Sequence, residues 1–248
     1  MTDLVSVFVG GAQKAGTRSV AQYLRQHPNV VVHQSKEGHF FDRDKHFNDS
    51  TPDAAALDTY HQAFHSISSD QIRCDITPDY LYRPSVIERI HAYNPKAQWI
   101  ILLRNPIERA YSAWNMEVNR QTENLSFEEA LRAELDGSIA GREHDRFHYI
   151  SRGQYHHQLQ RLWQYFPQSQ CHVFSAEALW ENPRNLLNQV AQTIGIDCND
   201  AAQYQHTHKG KYQSPMSDDS RKWLAQHFKT ELNDLPMLLN WQENPWTD

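Results

Sequence analysis

The N-terminal stretch constrains the fold more than any other part of the chain. Leu4 to Gly10 (LVSVFVG) is a β-branched apolar run that closes on Gly10-Gly11, the pattern of a buried strand followed by a tight loop. From about Thr17 to His27 the period turns helical, with Val20, Tyr23 and Leu24 on one face, and Pro28 ends it. Val30-Val31-Val32 then reads as a second strand. Strand, glycine loop, helix and strand in that order make a βαβ unit, which favours a parallel sheet.

The rest of the chain extends this pattern. Ile72 to Ile76 is a third short strand, and Pro84 to Tyr93 a helix with Val86, Ile87 and Ile90 inward. Trp99 to Leu103 (WIILL) is continuously apolar, as a central parallel strand buried on both faces must be. Asn105 is placed to cap a helix that opens on Pro106 and runs to about Asn119. Further helices are expected over Ser126–Leu135, Gln154–Tyr165, Pro183–Ile194 and Asp218–Phe228, with a strand at Cys171–Phe174. Asp136 to Arg152 is polar and reads as a loop over a cleft. No repeat, low-complexity tract or linker divides the chain, so residues 1–248 are expected to form one α/β domain, a central parallel sheet flanked by helices.

Composition narrows the partners. The net charge is −6 with histidine neutral, whereas a general nucleic-acid binder is more often basic. Any bound anion must therefore be held by a local cluster of Lys, Arg and backbone N–H groups. The 15 histidines make the electrostatics sensitive to pH below about 6.5. Cys74, Cys171 and Cys198 are dispersed, with no CxxC, which reads as reduced thiols in a cytoplasmic protein. No apolar run approaches the ~18 residues of a membrane span, and Met1-Thr2-Asp3 lacks the basic start of a signal peptide.

The loop Gly10-Gly11-Ala12-Gln13-Lys14-Ala15-Gly16-Thr17-Arg18-Ser19 joins a strand to a helix. Glycines admit an anion to the backbone, the helix N-terminus adds favourable partial charge, and Lys14 adds a full one. It is not a Walker A loop, in which Lys follows the second glycine and a hydroxyl residue follows Lys; here Lys14 precedes Gly16 and Ala15 comes next. A Walker B acid is also missing from the end of WIILL, which leads into Arg104, although Asp75 after a weaker strand is possible. A second anion site is suggested by Arg104, at the carboxyl end of a central strand where open α/β sheets bind ligands, with Ser112 two turns into the next helix. The alternative is a surface Arg and a buried Ser. Lys209-Gly210-Lys211 is a third basic cluster, by itself compatible with a solvated loop. His156-His157 and His206-x-His208 have no third ligand at a sensible spacing, so no metal site is expected.

Together these segments resemble the PAPS-dependent sulfotransferases (PAPS is 3′-phosphoadenosine 5′-phosphosulfate). QKAGTRSVAQYLRQHP resembles that family's 5′-phosphosulfate loop, and ILLRNPIERAYSAW its 3′-phosphate motif. KEGHFFD resembles a segment of the heparan-sulfate and related carbohydrate branch, and TPDYLY, GQYHHQLQRLWQYFP and KGK follow in the family's order. The resemblance implies a P-loop-like α/β fold in which Lys14, Ala15, Gly16, Thr17 and Arg18 hold the phosphosulfate and Arg104 and Ser112 the 3′-phosphate. It implies that Lys209, Gly210 and Lys211 close over the nucleotide, that Glu37 is the general base, and that His39 is its neighbour and next candidate. PAPS is then the co-substrate, without metal, and the acceptor a saccharide or other small polar molecule. The chain departs from those relatives at Ile76, where they often carry Lys before Thr-Pro, and in lacking a late cysteine pair. Tyr80 and Tyr82 could line an acceptor cleft or belong to the core. The rival readings are a metal-dependent P-loop kinase and a non-catalytic module that binds PAP, the desulfated nucleotide product.

Overall fold

The computed structural model describes residues 4–65, 68, 71–138, 145–199, 212 and 214–246. Its strands are β1 (Val7–Gly11), β2 (Val30–Val32), β3 (Phe47–Asn48), β4 (Thr51–Pro52), β5 (Ile72–Ile76), β6 (Gln98–Leu103) and β7 (Cys171–Ser175). Its helices are α1 (Thr17–Arg25), α2 (Ala54–Gln62), α3 (Pro84–Tyr93), α4 (Pro106–Asn119), α5 (Phe127–Leu135), α6 (Tyr155–Tyr165), α7 (Ala176–Glu181), α8 (Pro183–Thr193), α9 (Asp218–His227) and α10 (Lys229–Leu238). The chain forms two compact units: Met1–Leu102 with Gln158–Thr207, and Leu103–His157 with His208–Asp248.

The first unit is built on a five-stranded sheet in the order β2-β5-β1-β6-β7. β1 pairs in parallel with β5 (Val7 with Cys74, Val9 with Ile76) and with β6 (Val9 with Ile100), and β2 pairs in parallel with β5. The expected parallel sheet is present, but β5 lies between the two strands of the N-terminal βαβ unit. Trp99 through Leu103 are fully buried, as a strand covered on both faces requires. α1 buries Val20, Tyr23 and Leu24 and exposes Arg18 and Arg25. The register between β1 and β6 shifts from Val9 to Gly11, where the strand gives way to the loop that follows.

In the second unit the Asn105 side chain accepts from the backbone N–H groups of Ile107 and Glu108, and Pro106 opens α4. Ser126 and Glu129 close a capping box on α5. Ile107, Tyr111, Phe127, Leu131, Leu224 and Phe228 form the core of this unit. The polar stretch 136–152 does more than loop: Phe147, Tyr149 and Ile150 join that core, with 3₁₀ turns at Asp145–Phe147 and Ser151–Gly153. Elements that the sequence pattern did not predict are α2, the β3–β4 ribbon, α7, and α10, which carries Pro236 inside it.

Ile100 tests the central strand. It is fully buried and paired with Val9. Ile100→Ala is expected to cost about 2–5 kcal/mol of stability, read as a lower urea unfolding midpoint; an unchanged midpoint would mean that β6 is not core.

Candidate active site

β1 delivers the chain into the loop before α1. The Ala12 N–H donates to the Leu102 carbonyl at 2.6 Å, and the Ala15 N–H turns back to the Ala12 carbonyl at 3.1 Å. Lys14 and Gly16 both take left-handed backbone conformations (φ 72° and 89°). Gly16 is the N-cap of α1 and offers no side-chain acceptor to its first-turn N–H groups, and no acidic residue stands in that turn. A helix N-terminus left this way favours an anion. Ala15 and Thr17 are buried, Lys14 and Gly16 half-buried, and Arg18 exposed. The five residues expected to hold a phosphosulfate therefore form one turn at the end of β1.

The segment after β2 brings together the two residues expected to handle the proton. His39 Nε2 lies 3.0 Å from Glu37 Oε2, and His39 Nδ1 lies 2.6 Å from Asp42 Oδ2. Both ring nitrogens face carboxylates, so both donate and the ring is an imidazolium. The bonds to Asp42 and then Glu37 outweigh burial and push the His39 pKa up to about 10. The second oxygen of Glu37 faces Lys36 Nζ at 3.8 Å. The neighbouring Phe40 and Phe41 are turned away into the core, where Phe40 stacks on Tyr60 at 4.5 Å and Phe41 packs edge-on to Phe8 at 5.6 Å. Glu37 is thus surrounded by cationic partners and not by the aromatic ones beside it in sequence.

Asp42 was not singled out by the sequence reading, although it ends the KEGHFFD segment. Its spacing from His39, three residues on, was the available signal. His39, Asp42 and Asp79 also bring potential metal-ligand atoms within 4.8 Å of one another. A cation there would have to displace the His39 proton, which Asp42 and Glu37 hold firmly. Asp75, the possible Walker B acid, is fully buried and accepts from the hydroxyls of Thr77, Tyr60 and Tyr80. It is not presented to a nucleotide-bound metal. Tyr80 is core, fully buried, and Tyr82 is half-buried.

In the second unit, Arg104 precedes the Asn105 cap of α4, and its carbonyl accepts from the Tyr155 hydroxyl at 3.0 Å. Ser112 is buried on α4. Lys209, Gly210 and Lys211, together with His206 and His208, lie outside the described residues. Among the described residues, no helix is long and apolar enough to cross a membrane.

The chain belongs to the sulfotransferase domain family, whose model matches residues 5–234; members of this family are transferases that use PAPS. Among curated proteins it is similar to mouse heparan sulfate glucosamine 3-O-sulfotransferase 5, 25% identical over 194 residues that cover 78% of this chain and 54% of that protein. It is also similar to human heparan sulfate glucosamine 3-O-sulfotransferase 6, 29% identical over 186 residues covering 75% and 51%. The chain spans about half the length of the curated relatives it matches. Among solved structures, the sulfotransferase from Alicyclobacillus acidocaldarius superposes with a TM-score of 0.82 at 27% identity, over 98% of both chains. Mouse sulfotransferase SULT7A1 complexed with PAP shares the fold, with a TM-score of 0.62 at 11% identity over 98% of this chain and 90% of that one. The α/β fold with its central parallel sheet is borne out.

The His39 imidazolium has a consequence for stability. Its pKa is raised from 6.5 to about 10 in the folded chain, so folded and unfolded chains both hold the proton below about pH 6.5 and the contribution is fully present there. Above that value the unfolded chain loses the proton first, and the stabilisation erodes until about pH 10. Urea unfolding of the native chain and of His39→Gln across this range should show a stability difference that shrinks as pH rises. A difference that stays flat would mean His39 is neutral.

Proposed function

We propose that this protein is a sulfotransferase that moves the sulfuryl group of PAPS onto a hydroxyl of a saccharide or another small polar acceptor. The observation that carries this reading is the Glu37–His39–Asp42 chain of hydrogen bonds, with spacings of 3.0 and 2.6 Å, in the same compact unit as the Lys14 loop. The curated relatives named above support a saccharide acceptor, and the segment KEGHFFD, which resembles that branch, contains all three residues.

In this reading Glu37 takes the proton of the acceptor hydroxyl as its oxygen bonds to sulfur, while the sulfur–oxygen bond to the 5′-phosphate breaks in line and PAP leaves. His39 holds Glu37 through Nε2 and is itself held by Asp42, so the carboxylate is aimed before the acceptor arrives. Lys14, with the loop N–H groups of Ala15, Gly16, Thr17 and Arg18, meets the negative charge that grows on the leaving phosphate oxygen. Arg104 and Ser112 take the 3′-phosphate, Arg104 through a bidentate guanidinium, and Lys209, Gly210 and Lys211 cover the nucleotide. No metal takes part, because Lys14 and His39 already supply the cationic charge. The chain works as one sulfotransferase domain, which the extent of the family match supports. Its compartment is the cytoplasm, in keeping with three free thiols, Cys74, Cys171 and Cys198. The kinase reading loses its Walker B candidate, since Asp75 is committed to three hydroxyls.

Two sets of variants test these roles. Glu37→Gln should lower sulfuryl transfer from labelled PAPS to N-sulfated heparan oligosaccharides, or to water, by ~10²–10⁴ with PAP affinity almost unchanged, whereas Lys14→Ala should damage both turnover and PAP binding. Full transfer activity in Glu37→Gln would remove it as the base. In calorimetry, Arg104→Ala should weaken PAP much more than 5′-AMP; equal weakening of both would place Arg104 away from the 3′-phosphate.

A further inference from the structure

Four consecutive backbone N–H groups of the Glu37 segment end on two hydroxyl oxygens. Gly38 and His39 donate to Thr77 Oγ1 at 3.0 and 3.3 Å. Phe40 and Phe41 donate to the Tyr80 hydroxyl at 3.1 and 3.5 Å. A hydroxyl that accepts from N–H groups must send its own hydrogen elsewhere. Both send it to one carboxylate, Thr77 to Asp75 Oδ1 at 2.7 Å and Tyr80 to Asp75 Oδ2 at 3.0 Å. Tyr60 adds a third donor to Oδ2 at 2.7 Å. Asp75, Thr77 and Tyr80 are completely buried.

The Thr77 hydroxyl has one direction open to it. Protonating Asp75 on Oδ1 would set a hydrogen against the Thr77 hydroxyl hydrogen, and the Thr77 lone pairs are already occupied by Gly38 and His39. An ionised carboxylate accepts from all three donors as they stand, whereas a neutral acid would have to donate from Oδ2 to the Tyr60 hydroxyl. Burial pushes the Asp75 pKa up, and the Thr77 and Tyr60 hydroxyls, the nearby His33 and the Tyr80 hydroxyl offset this only in part. The segment also approaches the carboxylate more closely than a side chain would allow: a Cβ on Gly38 would sit 2.5 Å from Asp75 Oδ2. Gly38 separates Glu37 from His39, so this contact lies between the two proposed catalytic side chains. His39 itself is held at φ 49°, a conformation that a non-glycine residue keeps only when its surroundings impose it.

We propose that Asp75 is a positioning residue for sulfuryl transfer: through the Thr77 and Tyr80 hydroxyls it fixes the backbone of Gly38 to Phe41, and so sets Glu37 and His39 in register with each other. This rests on the reading of Glu37 as the base. Asp75 is completely buried, so it presents no surface to a substrate or nucleotide. It acts at a distance of two hydrogen bonds, and the signal that could have found it in the sequence is the D-x-T-x-x-Y spacing of Asp75, Thr77 and Tyr80.

The test uses the whole chain, with PAPS and water as the acceptor, and three readouts: the rate of PAP release, PAP affinity by calorimetry, and the His39 titration by ¹H–¹⁵N NMR, assigned with His39→Gln. Thr77→Val keeps the shape and removes the hydroxyl. It should lower kcat about 10- to 100-fold, leave KM for PAPS and the PAP Kd unchanged, and move the His39 midpoint from about 10 toward 6.5. Thr77→Ser should restore both kcat and the midpoint. Asp75→Asn should reproduce the loss, and if it fails to fold, the Thr77 pair still decides. Native kcat and a native His39 midpoint in Thr77→Val would overturn the proposal. So would a lower melting temperature with both values intact, which is the result of a merely structural role. Glu37→Gln keeps the two ideas apart: full PAP release in that variant sinks the base assignment, while the His39 midpoint in Thr77→Val still decides whether Asp75 positions the segment.

Discussion

A carboxylate removed from water costs several kcal/mol unless donors replace its hydration, and Asp75 has no exposed surface at all. The three donors come from two places in the chain. Thr77 and Tyr80 follow β5 directly, and Tyr60 comes from α2. Each donor is tied to something else. Tyr60 stacks on Phe40 at 4.5 Å and on His33 at 5.6 Å, and Tyr80 lies 5.9 Å from Phe41, centroid to centroid. Satisfying one charge therefore locks α2, the end of β5, and the segment after β2 to a common point. The aromatic rings of Phe8, Phe40, Phe41, Tyr60 and Tyr80 close around it and keep water out, which in turn makes every hydrogen bond inside stronger.

The electrostatics of the site are local in a chain that is acidic overall, with a net charge of −6. Carboxylates at Glu37 and Asp42 bracket a single imidazolium, with spacings of 3.0 and 2.6 Å. Cationic and dipolar groups gather instead at the end of β1, where Lys14, Arg18 and the first turn of α1 share one loop without an acidic neighbour in that turn. Two fields of opposite sense are built from two strands of one sheet that have β5 between them. β1 carries the loop with Lys14 and Arg18, and the segment after β2 carries the carboxylates of Glu37 and Asp42. Separating them in this way lets the carboxylate sit in the unit without lying inside the anion cradle itself.

Much of this was legible in the sequence because the signals were short-range and repeated. WIILL could only be a strand buried on both faces, and Asn105-Pro106 marked the start of α4 to the residue. The loop at Lys14 could be picked out from residue type and order, and the pair Glu37 and His39 from the resemblance of KEGHFFD to the carbohydrate branch. What was not legible depends on contacts between distant segments. The insertion of β5 between β1 and β2 is a property of pairing register, which no local pattern encodes. α2 has a weak apolar face, burying only Tyr60, so its periodicity gave little to read. Pro236 argued against a helix at the place where α10 runs. The hydrogen bonds of Asp75 were hidden for the same reason: as the fourth residue of a weak strand it resembled a metal-site acid, and the three-dimensional arrangement shows hydroxyls closing over it.

The first compact unit takes its chain from two separate stretches, Met1–Leu102 and Gln158–Thr207. Its sheet is finished by β7, which sits beside β6 although β6 ends at Leu103 and β7 begins at Cys171. On a ribosome making roughly 5–20 residues per second, the long apolar strand β6 emerges several seconds before the neighbour that covers its outer edge. During that interval β6 offers unpaired backbone groups on a strand that is hydrophobic from Trp99 to Leu103, which is a template for pairing with another chain. Nascent copies of this protein therefore need to be kept apart from one another until the chain has grown past Ser175, and any fragment that stops short of it carries the same open edge permanently.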